Sequence, residues 1–294
     1  MATPIRPAGP LVVRAMHRLP SRSALARVLA LACALFACAC EEAKNPLGYT
    51  EDAKRSYDAA MAEYSSHNFI TAQSLFREIK RKYSYSKYAR LAELRIADAD
   101  FDQEKFSDAI HEYKDFIRAH RSDAEDISYA RARIAEATYS EIPETAIVGA
   151  AEERDQGTVV DAYKELTSYL TDYPDAKESP RVRELITLVI SRLVRHELYV
   201  ARFYLSRDNY EAAVARIRYA LRNYGGALAD KNGAVTAGMD LAAEALLLLG
   251  ETYLKMHKLP EAHQAFQSIV QDCAQSALVV QARDYLRYLR EKGA

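Results

Sequence analysis

The sequence predicts an all-α fold, a right-handed α-solenoid of five helix pairs followed by a capping helix. Glycine (10 of 294 residues) and proline (9) are scarce and 28% of the residues are charged, a composition that favours helices. A pattern of small and large residues recurs 37 positions later, between 60–83 and 97–120. Within 106–116 these residues fall at i, i+3, i+7 and i+10, which is one face of an α-helix. Amphipathic helices repeated in this way bury their apolar faces by stacking.

The first 37 residues differ from the rest of the chain. They contain five arginines and no acidic residue, and an apolar run of 12 residues, Val28 to Ala39, overlaps their end. A helix that spans a bilayer needs about 20 residues, so this run is too short. A basic stretch before a short apolar core is typical of a secretion signal. We therefore predict a signal peptide over 1–37, which starts at Met1 or at Met16.

The cysteines indicate a lipid anchor. Three of the four lie in or beside the apolar run, and the fourth, Cys273, has no partner in the folded part, which argues against a disulfide framework. The segment Leu35-Phe36-Ala37-Cys38 resembles a bacterial lipobox, in which the cysteine after the cleavage site carries lipid. Cys38 is therefore the predicted lipidation site and Cys40 the alternative. An ordinary signal peptide is the other interpretation.

Lipid chains on this cysteine would hold the protein on a membrane. Because Ala39 rather than aspartate follows Cys38, we expect the outer membrane, with the protein on its periplasmic face. Residues 38–49 form the predicted linker between the lipid and the folded part.

Removal of the leader changes the charge balance. The whole chain has 40 basic and 41 acidic residues, whereas from Cys38 onward there are 35 and 41, a net charge of −6. A negative protein does not attract nucleic acid through bulk charge, and protein partners remain.

The folded part, 50–294, divides into five predicted repeats and a cap. The repeats lie at 52–84, 87–122, 126–174, 180–224 and 240–273, and the cap at 277–290. Two segments interrupt the period and are predicted loops, an insertion at 140–157 and a glycine-containing segment at 225–238. Small residues on both helices of a pair let the backbones approach, and a tyrosine or phenylalanine fills the space beside them.

The fifth repeat has the clearest signature. Its motifs Leu249-Gly250-x-x-Tyr253 and Ala262-x-x-x-Phe266 resemble the tetratricopeptide repeat, a helix hairpin of about 34 residues. Many of the 20 tyrosines fall in the large positions of such repeats, which indicates packing rather than a ligand site.

Catalytic and cofactor motifs are missing from the sequence. His196-Glu197 begins the zinc pattern HExxH, but Val200 stands where the second histidine is required. Gly225-Gly226 is not followed by the lysine of a phosphate loop. We therefore predict no enzyme, no cofactor and no metal, and a scaffold for protein or peptide partners. A lipoprotein enzyme or solute-binding protein would need a polar constellation that the sequence does not offer.

Two stretches go beyond a generic repeat. One runs from His196 to Tyr204 and continues through Arg207, Tyr210, Ala213 and Arg216; the other combines Arg154-Asp155-Gln156 with Tyr173-Pro174-Asp175. Both are similar to the BamD family of outer-membrane lipoproteins, and the resemblance covers about 49–290. The sequence departs from the family pattern at Gly157 and at Gly225-Gly226.

The resemblance implies a role in the β-barrel assembly machine. The family binds the periplasmic domains of the barrel-forming outer-membrane assembly protein through its C-terminal repeats, works with accessory lipoproteins, and offers unfolded outer-membrane substrates a pocket in its N-terminal repeats. The main rival is another repeat lipoprotein, such as a type IV pilus pilotin or a Tol–Pal-associated helper.

The resemblance also suggests site residues. Arg216 matches a family arginine and is a predicted partner contact, or else a solvated helix charge. Arg207 is a second predicted contact, or else it braces the helix turn. The pocket candidates are four tyrosines, of which Tyr64 is alternatively a core residue. They are Tyr57, Tyr64, Tyr85 and Tyr88.

Overall fold

A computed structural model describes residues 46–143, 155–228 and 236–293, and over these residues it contains eleven α-helices and no strand. The helices are α1 (Pro46–Ser65), α2 (Phe69–Lys82), α3 (Lys87–Asp102), α4 (Phe106–Ala119), α5 (Ala124–Ser140), α6 (Gly157–Asp172), α7 (Ser179–Leu205), α8 (Tyr210–Leu228), α9 (Thr236–Lys255), α10 (Leu259–Asp272) and α11 (Val279–Glu291). The predicted all-α solenoid is confirmed. No helix among the described residues is both long and apolar enough to cross a bilayer.

The helices stack in chain order. From α2 onward each helix packs against the next one, and the first helices of successive pairs also meet, α5 with α7 and α7 with α9. This arrangement buries one continuous apolar core from α5 to α11, with a smaller core between α3, α4 and α5. Stacked pairs with nearest-neighbour contacts are the architecture of a repeat solenoid.

Four of the turns inside helix pairs share one backbone conformation. His67, Glu104, Asp208 and His257 all have φ between 56° and 62°. The next residue then donates its N–H to a carbonyl five positions earlier, as from Lys105 to Asp100 at 2.9 Å and from Lys258 to Tyr253 at 2.9 Å. This left-handed residue ends the first helix and reverses the chain, a position where glycine is usual.

Close packing in the last repeat depends on a missing side chain. A Cβ atom at Gly250 of α9 would lie 2.5 Å from Cε1 of Phe266 on α10. The Phe266 ring in turn stacks on Tyr285 of α11, with 4.5 Å between ring centres and 7° between planes. The glycine therefore makes room for the aromatic ring that joins the last pair to the final helix.

The prediction of a loop over 225–238 was wrong at both ends. Helix α8 continues through Gly225 and Gly226 to Leu228, and α9 begins at Thr236. No proline follows Tyr224 to stop the helix, and a glycine inside a helix costs only about 1 kcal/mol. The predicted insertion at 140–157 lies between the end of α5 at Ser140 and the start of α6 at Gly157, and Ile142 within it is buried; residues 144–154 lie outside the described part.

Candidate functional site

The four candidate pocket tyrosines do not form one group. Tyr57 on α1 and Tyr88 on α3 are half-buried, with 5.6 Å between their ring centres, and Tyr57 also lies 5.7 Å from Phe76. Tyr64 lies two turns further along α1, its ring edge-on to Phe69 at 5.6 Å, and its hydroxyl donates to Asp102. Tyr85 is 97% exposed on the turn between α2 and α3.

A buried carboxylate organises the helices behind this aromatic group. Asp98 on α3 is 1% exposed and accepts hydrogen bonds from the hydroxyls of Tyr113 and Tyr129, the latter at 2.9 Å. It also pairs with Arg95 at 2.7 Å and with Arg133 at 3.7 Å. A buried charge is tolerated when such partners surround it.

Arg133 on α5 connects this buried network to the candidate pocket. Its guanidinium carbon lies 3.7 Å from the ring centre of Phe101, and its nitrogens lie 2.7 Å from Glu136 and 3.7 Å from Asp102. Asp102 is the acceptor of the Tyr64 hydroxyl. One chain of polar contacts therefore links Tyr64 on α1 to Asp98 in the interior.

The phenols of this network are held in their neutral form. Burial, and next the charge of Asp98, raise the pKa of Tyr113 and Tyr129 above the ordinary value for tyrosine. Burial also raises the pKa of Tyr57 and Tyr64. The hydroxyls of Tyr64, Tyr113 and Tyr129 are therefore hydrogen-bond donors to their carboxylates at neutral pH.

Sequence reasoning missed Asp98, Arg95 and Arg133. The one signal in the sequence is that Asp98 lies between Ala97 and Ala99, small residues typical of a buried helix face, where a carboxylate needs a partner. Arg95 lies one turn earlier on the same helix, but Arg133, Tyr113 and Tyr129 lie on other helices, so their positions could not be read from the local pattern.

Arg216 on α8 pairs within the chain. Its Nη1 lies 3.3 Å from Oε2 of Glu197 on α7, whose side chain is buried, while the side chain of Arg216 remains 45% exposed. Tyr224, on the same helix as Arg216, has its ring centre 5.5 Å from that of Tyr163. Burial raises the pKa of Tyr224, and Tyr219 and Glu197 raise it by smaller amounts. Sequence reasoning considered Glu197 only as part of the failed zinc pattern and missed it as the partner of Arg216.

Arg207 lies in the turn between α7 and α8. Its guanidinium carbon lies 3.7 Å from the ring centre of Phe203, a ring that is itself exposed on the last turn of α7. This stacking contact can brace the turn, as the alternative interpretation of Arg207 expects, and Arg207 itself remains exposed.

Two further points concern the cysteines and metals. Cys38 and Cys40, the predicted lipidation sites, lie outside the described residues. Cys273 is buried at the end of α10, and burial raises the pKa of its thiol. Both observations are typical of a cysteine that packs in the core rather than of a reactive one. Among the described residues no three potential metal ligands cluster together.

Stacked helix pairs with buried small-and-large contacts define a solenoid of the tetratricopeptide-repeat type. The family model described as YfiO, outer membrane lipoprotein, matches residues 50–257. The chain therefore belongs to the YfiO family of outer membrane lipoproteins, which confirms the resemblance stated above.

Two relatives carry the same name, "outer membrane protein assembly factor BamD". The one from Caulobacter vibrioides is 24% identical over 195 residues, 66% of this chain and 61% of the relative. The one from Neisseria gonorrhoeae is 24% identical over 202 residues, 67% of this chain and 75% of the relative. The chain thus spans less than two thirds of the Caulobacter protein.

Solved structures are more distant. The TPR2AB domain of yeast Sti1 is 14% identical with a TM-score of 0.45, over 82% of this chain and 84% of that one. The protein TTC0263 of Thermus thermophilus is 15% identical with a TM-score of 0.34, over 80% of this chain and 98% of that one. At these scores the assignment of the solenoid depends on the helices described above.

Proposed function

We propose that this protein is a lipid-anchored scaffold of the machinery that assembles outer-membrane β-barrels. The observation that supports this most is the family match over 50–257, together with two relatives named as outer membrane protein assembly factors. In this role it binds the periplasmic domains of the barrel-forming protein and accessory lipoproteins, assists insertion of unfolded barrel substrates, and performs no catalysis. A solenoid suits this role because its stacked helices offer an extended surface.

The partner contact is proposed at the α7–α8 pair. Glu197 holds the Arg216 side chain at one nitrogen, and the exposed remainder of the guanidinium keeps donors available for a carboxylate or carbonyl of the partner. Phe203 similarly holds Arg207 in place while its charge faces solvent. Both arginines are therefore ordered before binding, which lowers the entropy cost of contact.

The substrate contact is proposed at the aromatic group of the N-terminal repeats. Tyr57 and Tyr88 are half-buried, so part of each ring remains accessible to an extended, aromatic segment of an unfolded barrel protein. Tyr64 is fixed from behind by Asp102 and Arg133, which gives this end of the group a defined position.

Affinity purification of the native protein from detergent-solubilised outer membrane tests the proposal. The expected result is recovery of a barrel protein with repeated periplasmic domains. Recovery of a pilus secretin alone, or of Tol–Pal components alone, would contradict it and support the rival repeat lipoproteins.

Variants at Arg216 and Glu197 separate a direct contact from a structural one. If Arg216 touches the partner, Arg216→Ala loses recovery of the barrel protein, whereas Glu197→Gln retains it because the arginine stays in place. Arg216→Lys should also bind weakly, since lysine lacks the planar fork. Equal losses in Arg216→Ala and Glu197→Gln would show that the pair acts only by holding α7 against α8.

The lipid anchor is tested by labelling cells with radioactive palmitate. We expect label in the wild-type protein and in Cys40→Ala, and none in Cys38→Ala. Label lost only in Cys40→Ala would move the anchor to the alternative cysteine. Label retained after both cysteines are replaced would contradict a lipid anchor at either position.

A further inference from the structure

The turn between α2 and α3 is unusually basic for this protein. Residues 77–90 contain six basic residues, three tyrosines and one acid, Glu78, whereas the chain from Cys38 onward carries a net charge of −6. The segment includes the end of α2, the turn itself and the first turn of α3.

Only part of this charge is neutralised within the protein. Lys80 pairs with Glu93 at 3.2 Å, and Arg90 pairs with Asp123 at 2.6 Å and Asp126 at 2.8 Å. Arg81 and Lys87 are exposed and form no ion pair within the described residues, and Lys87 lies 5.2 Å from the ring centre of Tyr88. Lys82 is also exposed, and its ammonium lies 5.2 Å from the ring centre of Tyr83.

Tyr85 lies at the centre of the turn, with nearly its whole side chain in solvent. The backbone around it is fixed, because Ser86 donates its N–H to Tyr83 at 2.8 Å and accepts at its hydroxyl from the N–H of Tyr88 at 3.2 Å. An ordered turn therefore presents an exposed phenol between basic side chains. Tyrosine beside lysine and arginine is the composition of protein surfaces at the membrane interface.

The repeat fold does not require these residues. The next turn of the same kind, 37 positions later, has Ala119, Ser122, Ala124 and Glu125 where the first has Lys82, Tyr85, Lys87 and Tyr88. Both turns connect a helix pair to the next one, so the fold accommodates either set. The basic and aromatic side chains therefore serve something outside the repeat.

The proposed lipid anchor restricts how far this turn lies from a bilayer. Pro46, the start of α1, lies eight positions after Cys38, the predicted lipidation site, a reach of about 28 Å at most. Tyr57, eleven residues further along α1, touches Tyr88 at the base of the turn. A rise of 1.5 Å per helical residue adds about 17 Å.

We propose that this turn contacts an anionic phospholipid surface, with Arg81, Lys82 and Lys87 against the phosphates and Tyr85 among the headgroups. A membrane fits better than an acidic protein segment, because an exposed tyrosine among basic side chains is typical of the membrane interface and the proposed lipid would hold the chain at a bilayer. The distance of the turn from a bilayer depends on the proposed lipid anchor, whereas the charge and the exposure of the turn do not.

Vesicle flotation tests the proposal on the chain from residue 38 with Cys38→Ser and Cys40→Ser, which carries no lipid. We expect binding to phosphatidylcholine vesicles only when they contain phosphatidylglycerol, and release at high salt. Replacing Arg81, Lys82 and Lys87 together by glutamine should lower the partition coefficient about a hundredfold, since each basic residue near an anionic surface contributes about fivefold. Tyr85→Ser should lower it several-fold.

The matched control removes the same charge from the last helix, α11, with the exposed Arg283, Arg287 and Arg290 replaced by glutamine. It should bind vesicles like the parent chain. An equal loss in control and turn variants, or no binding by the parent chain, would overturn the proposal. So would capture of the parent chain on immobilised polyglutamate without binding to vesicles, which would assign the turn to an acidic protein. The assay contains no barrel protein and no anchor, so its failure leaves the proposed function standing.

Discussion

Two carboxylates join neighbouring first helices in the same way, yet their surroundings differ. In the N-terminal repeats Asp98 on α3 accepts a hydrogen bond from Tyr129 on α5 at 2.9 Å; in the C-terminal repeats Glu251 on α9 accepts from Tyr285 on α11 at 3.0 Å. Asp98 is buried with Arg95 and Arg133 beside it, whereas Glu251 is half-buried and, among the described residues, has Gln281 at 3.4 Å as its one further side-chain partner.

The large position of the repeat shows the same contrast. Tyr113 on α4 and Phe266 on α10 are equivalent residues and both are fully buried. Tyr113 needs an acceptor for its hydroxyl and has Asp98, whereas Phe266 needs space and has Gly250. The N-terminal repeats therefore depend on a charged network inside a small core, and the C-terminal repeats on close apolar packing.

The largest effect is expected from Asp98→Ala. Removing this carboxylate leaves Arg95 without the charge it pairs with and the hydroxyls of Tyr113 and Tyr129 without their acceptor, which should cost about 3–5 kcal/mol in the free energy of unfolding by urea. Glu251→Ala, which breaks the corresponding link near the surface, should cost no more than about 1 kcal/mol. Similar losses in the two variants would show that the difference in burial has no energetic consequence. Hydrogen exchange should place the loss for Asp98→Ala in α3, α4 and α5.

The next largest loss of stability is expected from Gly250→Ala. The added methyl group would overlap the Phe266 ring, and overpacking of this kind costs about 1–3 kcal/mol in thermal or urea unfolding. The matched control is Gly225→Ala in α8, where a Cβ meets nothing within 4 Å. That variant should stabilise the protein by about 0.5–1 kcal/mol, because alanine is the better helix former. A stabilising Gly250→Ala would contradict the packing described for the last repeat.

A smaller effect, in this case a gain in stability, is expected from Glu104→Gly. Glu104 has a φ of 61°, which glycine adopts without the steric cost of a side chain, so the variant should gain up to about 1 kcal/mol in unfolding free energy. Gln103→Gly, one residue earlier at a φ of −88°, should lose stability instead. His257 has the same conformation in the last repeat, so His257→Gly should gain about as much stability as Glu104→Gly. In this respect the N-terminal and C-terminal repeats should not differ.

The smallest effect concerns alkaline pH. Burial raises the pKa of Tyr129 in the folded state, so above about pH 10 the unfolded chain releases this proton while the folded chain retains it. Unfolding free energy should therefore fall as pH rises through this range, and Tyr129→Phe should fall less steeply. Identical pH slopes for the parent and Tyr129→Phe would show that this phenol is not perturbed by folding.

Local patterns in the sequence predicted most of the fold but little of the site. The recurrence of Ala109 and Tyr113 at helical spacing was sufficient to place buried faces, because each helix contacts its neighbours in chain order. At Gly225 the prediction is wrong, because the glycine indicates the start of a loop whereas the helix continues to Leu228. Asp98 and Glu197 were missed because, apart from Arg95 three positions before Asp98, their partners lie 15 to 35 and 19 positions away on other helices.

The most direct test of the proposed role is depletion of this protein in living cells, followed by a gel assay of outer-membrane proteins. A folded β-barrel migrates differently before and after heating, which reports its assembly in the membrane. The account predicts that folded barrels decline while unfolded precursors accumulate in the periplasm. Normal levels of folded barrels after depletion, with loss of a pilus secretin from the outer membrane instead, would contradict it.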